Sequence, residues 1–151
     1  MTSYEPSTPT SAPRDDLAEH WWQALQRKEF LVQRSTGTGR FQFYPRARAV
    51  GTLRDDLEWV PAVGGGTVYS FTVVNWSANP EFAADCPYTL ALVDLDEGVR
   101  ITTRIVDAEP ESLRCGTRVQ LVYRPTPDGS VLPYVIPTLE RKERSTRDRL
   151  F

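Results

Sequence analysis

The sequence predicts a mainly β protein: a small barrel preceded by a helix and a hairpin arm. Three observations carry that expectation. Between Gly66 and Pro137, apolar and polar residues alternate in short runs bounded by turn residues, the pattern of half-buried strands. Two of these runs are joined through Asp96-Glu97-Gly98, a tight hairpin turn. The sustained helical stripe, Leu17, Trp21 and Leu25 at every fourth position, is confined to the segment from Asp15 to Lys28.

Residues 1–14 are rich in Ser, Thr and Pro and lack the large apolar groups that would offset the cost of ordering, so they read as a tail. In the helix that follows, Asp16 and Glu19 have the spacing of a capping box. The helix is short and must lean on something to be stable. In FLVQR-STGTG-RFQFYPR, two apolar-aromatic runs flank a Gly-rich turn, which predicts a hairpin from Phe30 to Tyr44, ended by Pro45. From Leu57 onward every element is expected to be β.

Val63-Gly64-Gly65-Gly66 reads as a turn or bulge leading into the barrel. In the next strand Tyr69, Phe71 and Val73 are expected to share the buried face. The segment 75–87 reads as a loop. YTLALVDLD and VRITTRIVD form the hairpin, with Val99, Ile101, Thr103 and Ile105 facing one way. Pro110 and Gly116 bracket one helical turn. Val119, Leu121 and Tyr123 line one face of the following strand. Pro133 and Pro137 confine the last strand to an edge or a bulge. Five strands with a short helix before the last two match an OB-type Greek-key barrel, with a small sandwich as the alternative. The expected organisation is a tail over 1–14, helix and arm over 15–52, barrel over 53–139 and a charged tail over 140–151.

The 151 residues are 40% hydrophobic and 25% charged, ordinary for a soluble globular chain. A net charge of -2 supplies no overall basic field for nucleic acid. No apolar run is long enough to span a bilayer, and the first residues lack a secretory pattern, so a cytoplasmic protein is expected. Cys86 and Cys115 are expected to be free, partly buried thiols in a reducing compartment, with a disulfide as the alternative.

HWWQALQRKEFLVQR, STGTGRFQFYPRARAVGT and the barrel run GTVYSFTVVNWSANPEF…CPYTLALVDLDEGVRITTRIVD…LRCGTRVQLVY together resemble the DUF35 family, whose members pair a zinc ribbon with an OB fold. The resemblance spans about residues 17–138. The family's ribbon carries two Cys-x-x-Cys knuckles, each followed by Gly. Those positions fall here on Ser35 and Thr38, before Gly39, and on Ala47 and Val50, before Gly51. All four thiolates are missing, and hydroxyl or alkyl groups are poor zinc donors. A metal-free arm is therefore expected, held by Phe30, Val32, Phe41, Phe43 and Tyr44 or pressed onto a partner.

The resemblance implies a non-catalytic accessory subunit. DUF35 proteins accompany thiolase-like or lipid-transfer-type acyl-CoA proteins that make or break carbon–carbon bonds. They dock on them as hetero-oligomers and help shape the acyl-CoA site. The chain itself is expected to bind no cofactor, and acyl-CoA would sit at a shared site. Arg40, Arg46 and Arg48, interleaved with aromatics, are the candidates for contact with CoA phosphates. Trp21, Trp22, Phe41, Phe43, Tyr44 and Trp76 are the candidate partner interface, because aromatic and Arg side chains dominate interface energetics. The same residue types on an OB fold could bind single-stranded nucleic acid, the alternative function, which the acidic balance disfavours.

No catalytic constellation accompanies these residues. His20 reads as an exposed helix residue, and neither cysteine has a neighbouring base. Gly64-Gly65-Gly66 lacks the Lys-Ser/Thr and helix start of a phosphate loop.

Overall fold

The computed structural model describes residues 16–138, so the tails expected over 1–14 and 140–151 lie outside it. Helix α1 (Asp16–Gln26) leads into a three-stranded antiparallel sheet of β1 (Leu31–Ser35), β2 (Phe41–Gln42) and β3 (Leu57–Pro61), in the order β2-β1-β3. A closed barrel follows, built from β4 (Gly65–Val74), β5 (Tyr88–Leu95), β6 (Arg100–Ile105), β7 (Arg118–Pro125) and β8 (Val131–Pro137). Its order is β4-β5-β6-β8-β7, closed by β4 against β7. That is the Greek-key connectivity of the OB fold.

One apolar core joins arm and barrel. Leu25 from α1 and Phe30 and Val32 from the arm belong to the same buried cluster as Val68, Val93, Ile101, Val119 and Val135 of the barrel. Val99, Ile101, Thr103 and Ile105 are buried together, as their alternation predicts. Ala62 N donates to Phe30 O at 2.8 Å where the arm hands over to the barrel.

Four expectations give way to longer-range physics. The strand Leu57–Pro61, assigned to a barrel over 53–139, pairs along its length with β1, so the arm sheet extends to Pro61. Tyr69 is 54% exposed rather than buried, because a bulge between Val68 and Ser70 turns it outward. The expected loop 75–87 contains a one-turn helix, α2 (Pro80–Ala83), capped by Asn79 Oδ1 accepting from Glu81 N at 3.0 Å. The last strand is neither an edge nor a bulge. Thr138 N donates to Arg118 O, so the N–H groups of 136, 134 and 132 point at β7 and the nitrogens of Pro133 and Pro137 point at β6. The β6–β8 seam needs little from them, since it is a single parallel pair, Ile105 with Val135.

Smaller differences follow the same logic. Strand β2 stops at Gln42 rather than running to Tyr44. Glu19 does not reach back to a cap, and its Oε1 accepts instead from Gln23 Nε2 at 3.1 Å. Both cysteines are free thiols, and Cys115 is exposed rather than partly buried. The Gly run is fixed by close approach. A Cβ on Gly66 would lie 2.8 Å from Asp94 O and 2.9 Å from Val93 Cγ1, which only glycine avoids.

Candidate functional site

Strand β1 is the middle of the arm sheet, and its polar residues organise what surrounds it. Gln33 is 3% exposed. Its Nε2 donates to Arg46 O at 2.9 Å, and its Oε1 accepts from Arg46 N at 2.8 Å and from Gln42 Nε2 at 3.0 Å. Gln42 Oε1 then accepts from Val50 N at 2.8 Å. Two glutamines thereby knit the connector 45–51 to the sheet. At the other turn, Ser35 Oγ donates to Asp56 Oδ2 at 3.0 Å and accepts from Thr38 N at 3.2 Å, while Gly37 N also donates to Asp56 Oδ2.

These contacts bear on how well the ribbon positions suit a metal. The Ser35 hydroxyl is committed to Asp56 and Thr38 N, Val50 is exposed and apolar, and Ala47 offers no donor. The residues present do not fit a zinc ion. Among the described residues, no group of three or more His, Cys, Asp or Glu side chains could hold a metal.

The six aromatic candidates separate into two sets. Trp21, Trp22, Phe41 and Phe43 are half-buried and packed on the core. Trp21, Phe30 and Phe43 form an internal cluster with ring centroids 5.1–5.7 Å apart. Tyr44 and Trp76 are instead 56% and 76% exposed. Phe82 on α2 is a further exposed ring, with no periodic or motif signal in the sequence to mark it.

The arginines separate as well. Arg40 and Arg46 line a cleft of about 320 Å³ between the arm and the β5–β6 turn. Arg48 does not line it, and its Nη1 donates to Leu53 O at 3.1 Å. Arg100, from β6, lines the cleft instead. No local signal in the sequence links Arg100 to the arm, because they meet only where the arm lies beside the β5–β6 turn.

On the outer face of β4, β5 and β6, the guanidinium of Arg100 stacks 3.4 Å from the Tyr69 ring centroid and bonds both oxygens of Asp94 at 2.7 and 3.0 Å. That pairing holds the Asp94 carboxyl below its ordinary range. Arg104 repeats the motif with the Tyr88 ring at 3.8 Å and Asp85 at 2.9 Å. One face of each of these two rings is thus occupied by a cation that is itself paired with a carboxylate. His20 lies against Trp59 with ring centroids 5.2 Å apart, and Cys86 Sγ donates to Phe82 O at 3.4 Å. No helix among the described residues is long and apolar enough to cross a membrane.

Comparison with known proteins agrees with this architecture. The family model for the ChsH2 C-terminal OB-fold domain matches residues 59–124. The chain is similar to a DUF35 domain-containing scaffold protein of Methanocaldococcus jannaschii, 31% identical over 117 residues, covering 74% of this chain and 79% of that one. It is also similar to a probable enoyl-CoA hydratase alpha subunit of Thermomonospora curvata, 28% identical over 123 residues. There it covers 82% of this chain but 38% of the hydratase subunit, so it spans little more than a third of that protein. A solved structure titled as an Ltp2-ChsH2(DUF35) aldolase contains a chain that superposes with a TM-score of 0.75 at 27% identity. The match covers 83% of this chain and 97% of that one.

Proposed function

The chain belongs to the DUF35 family, and from that premise we propose that it is a non-catalytic accessory subunit of an acyl-CoA enzyme complex. The partner is a thiolase-like or lipid-transfer-type protein that forms or cleaves carbon–carbon bonds. This chain docks on it as a hetero-oligomer and helps shape the acyl-CoA site. The partner supplies the reacting groups.

One observation carries the reading. Nearly the whole of a chain solved within an aldolase of two named components, 97% of it, has a counterpart here. The site chemistry is in keeping with it. His20 is stacked on a tryptophan, the Cys86 thiol is spent on a backbone carbonyl, and Trp76 stands exposed on a loop where a partner could cover it. Single-strand binding finds less support, because the net charge is -2 and one face of each of Tyr69 and Tyr88 is already taken by Arg100 and Arg104.

The test is co-expression with candidate thiolase-like and lipid-transfer-type partners. A stable heteromer on gel filtration, with partner activity that depends on this chain, is expected. Partners whose elution and activity ignore it would refute the reading, and acyl-CoA turnover by the chain alone would replace it.

A further inference from the structure

A strand edge is where a β protein is open to a further strand, and the described residues protect every edge but one. The barrel closes on itself. In the arm sheet, β2 is two residues long, and Gln42 straps the connector beside it through Arg48 O and Val50 N. The outer edge of β3 runs for five residues and has no such strap among the described residues.

The ladder fixes which groups that edge presents. Thr36 N donates to Asp56 O at 2.9 Å, and Ala62 N to Phe30 O at 2.8 Å. Between them Arg34 pairs with Glu58 and Val32 with Val60, so the even residues of β3 spend their backbone groups on β1. The N–H and C=O of Leu57 and Trp59 therefore point away from β1, and among the described residues nothing bonds them. Pro61 adds an outward carbonyl and no N–H.

Symmetry selects the occupant. A second β3 laid antiparallel about a two-fold axis at Trp59 sets Trp59 opposite its own copy and Leu57 opposite Pro61. Each Trp59 N–H then meets a Trp59 C=O, and each Leu57 N–H meets the Pro61 C=O of the other copy. Every outward N–H of the strand is used, and the missing donor of Pro61 leaves only the Leu57 C=O to water. Glu58 falls opposite Val60, so no like charges meet, whereas an axis at Glu58 would set two carboxylates face to face. The same two-fold brings together the ends of the strand, where Leu53 before it and Val63 after it are 72% and 83% exposed. A strand from an unrelated protein need meet none of these conditions.

We infer that the outer edge of β3 is a self-association site, at which two copies of this chain join their arms into one continuous sheet. The site rests on the ladder alone and goes beyond the accessory-subunit reading, so the solitary chain should display it whether or not an acyl-CoA partner binds.

The experiment is sedimentation of the full chain over a range of concentrations, with amide hydrogen exchange at both ends of that range. A monomer–dimer equilibrium is expected. The Leu57 and Trp59 amides should be protected at high concentration and exchange freely at low, since their acceptors belong to the other copy. Leu57→Pro removes an outward N–H and no bond to β1, so it should weaken the dimer about tenfold or more. Val63→Glu turns a carboxylate toward Asp55 of the other copy and should weaken it too. Val63→Glu combined with Asp55→Lys should recover the wild-type constant, a rescue that a folding defect would not give. A monomer at every concentration, or a dimer whose Leu57 and Trp59 amides stay unprotected, would overturn the site. Protection of those amides only on addition of a different protein would overturn the second copy as occupant and give the edge to that protein.

Discussion

Ser35 Oγ and Asp56 Oδ2 meet at 3.0 Å, joining residues 21 apart in sequence at the tip of the arm. The same carboxylate oxygen takes the Gly37 N–H at 3.2 Å, so one side chain closes the turn that a metal ion closes in a zinc ribbon. Asp56 Oδ1 is buried and has no hydrogen-bond partner. Asp56→Ala removes both acceptor contacts, and the arm should lose about 1.5–3 kcal/mol, the range for hydrogen bonds to a charged group. Asp56→Asn keeps an acceptor for Ser35 and relieves the unpartnered charge, so its cost should be smaller. Urea denaturation of both variants checks this. A chelator should leave the wild-type midpoint unmoved, and a fall on chelation would show that metal holds the arm.

Packing is the larger support. Phe30 is 2% exposed and contacts Trp21 and Phe43 edge-on or tilted, within the core that runs into the barrel. Phe30→Ala should cost about 3–5 kcal/mol, as for other buried aromatics. Because arm and barrel share one core, the loss should appear as a single cooperative transition at lower urea. A separate early melting of the arm, with the barrel midpoint unchanged, would contradict a shared core.

How much of this was legible depended on the range of the interaction. The β5–β6 hairpin was readable because Val99, Ile101, Thr103 and Ile105 alternate strictly beside a tight turn, and both signals are local. The exposed Tyr69 was not, since the bulge that rotates it arises from pairing with β5. Gln33, Gln42 and Asp56 look like ordinary surface residues in sequence. Their roles come from partners 9 to 21 residues away. The chemistry of Trp21 and Phe43 suits a partner contact, yet in the fold the two rings pack on each other. Arg100 meets Arg40 and Arg46 only where the arm lies beside the β5–β6 turn, a long-range placement.

The ion pairs of the barrel turn give a pH signature. Arg100 lowers the Asp94 carboxyl and Arg118 lowers Asp96, both below the usual 3.8. The native state therefore binds these protons less tightly than the unfolded chain. Their contribution is complete above about pH 3.8 and is lost as pH falls through the lower native values. Each pair is roughly half exposed, so about 0.2–1 kcal/mol apiece is expected after screening. Burial raises the Tyr123 hydroxyl above its usual 10.0, so its share is intact below that pH and is lost as pH rises through the native value. Stability profiles of Asp94→Asn and Asp96→Asn should show a shallower acid limb, and Tyr123→Phe a shallower alkaline one. Unchanged slopes would mean that these groups titrate alike in both states.

Trp76 offers the cleanest separation of docking from folding. It is 76% exposed on the segment between β4 and α2, so Trp76→Ala removes few internal contacts and should shift stability by no more than about 0.5 kcal/mol. If a partner covers the ring, the same change should weaken the heteromer by about 2 kcal/mol or more, the cost of losing an interface anchor. That corresponds to a Kd raised about thirtyfold. Trp21→Ala makes the opposite comparison. Its ring is packed against Trp22, Phe30 and Phe43, so thermal stability should fall first and binding only in step with it. Thermal melts and surface plasmon resonance on both variants separate the two. Wild-type affinity in Trp76→Ala would move the docking surface away from the β4–α2 segment, toward Tyr44 and the arm.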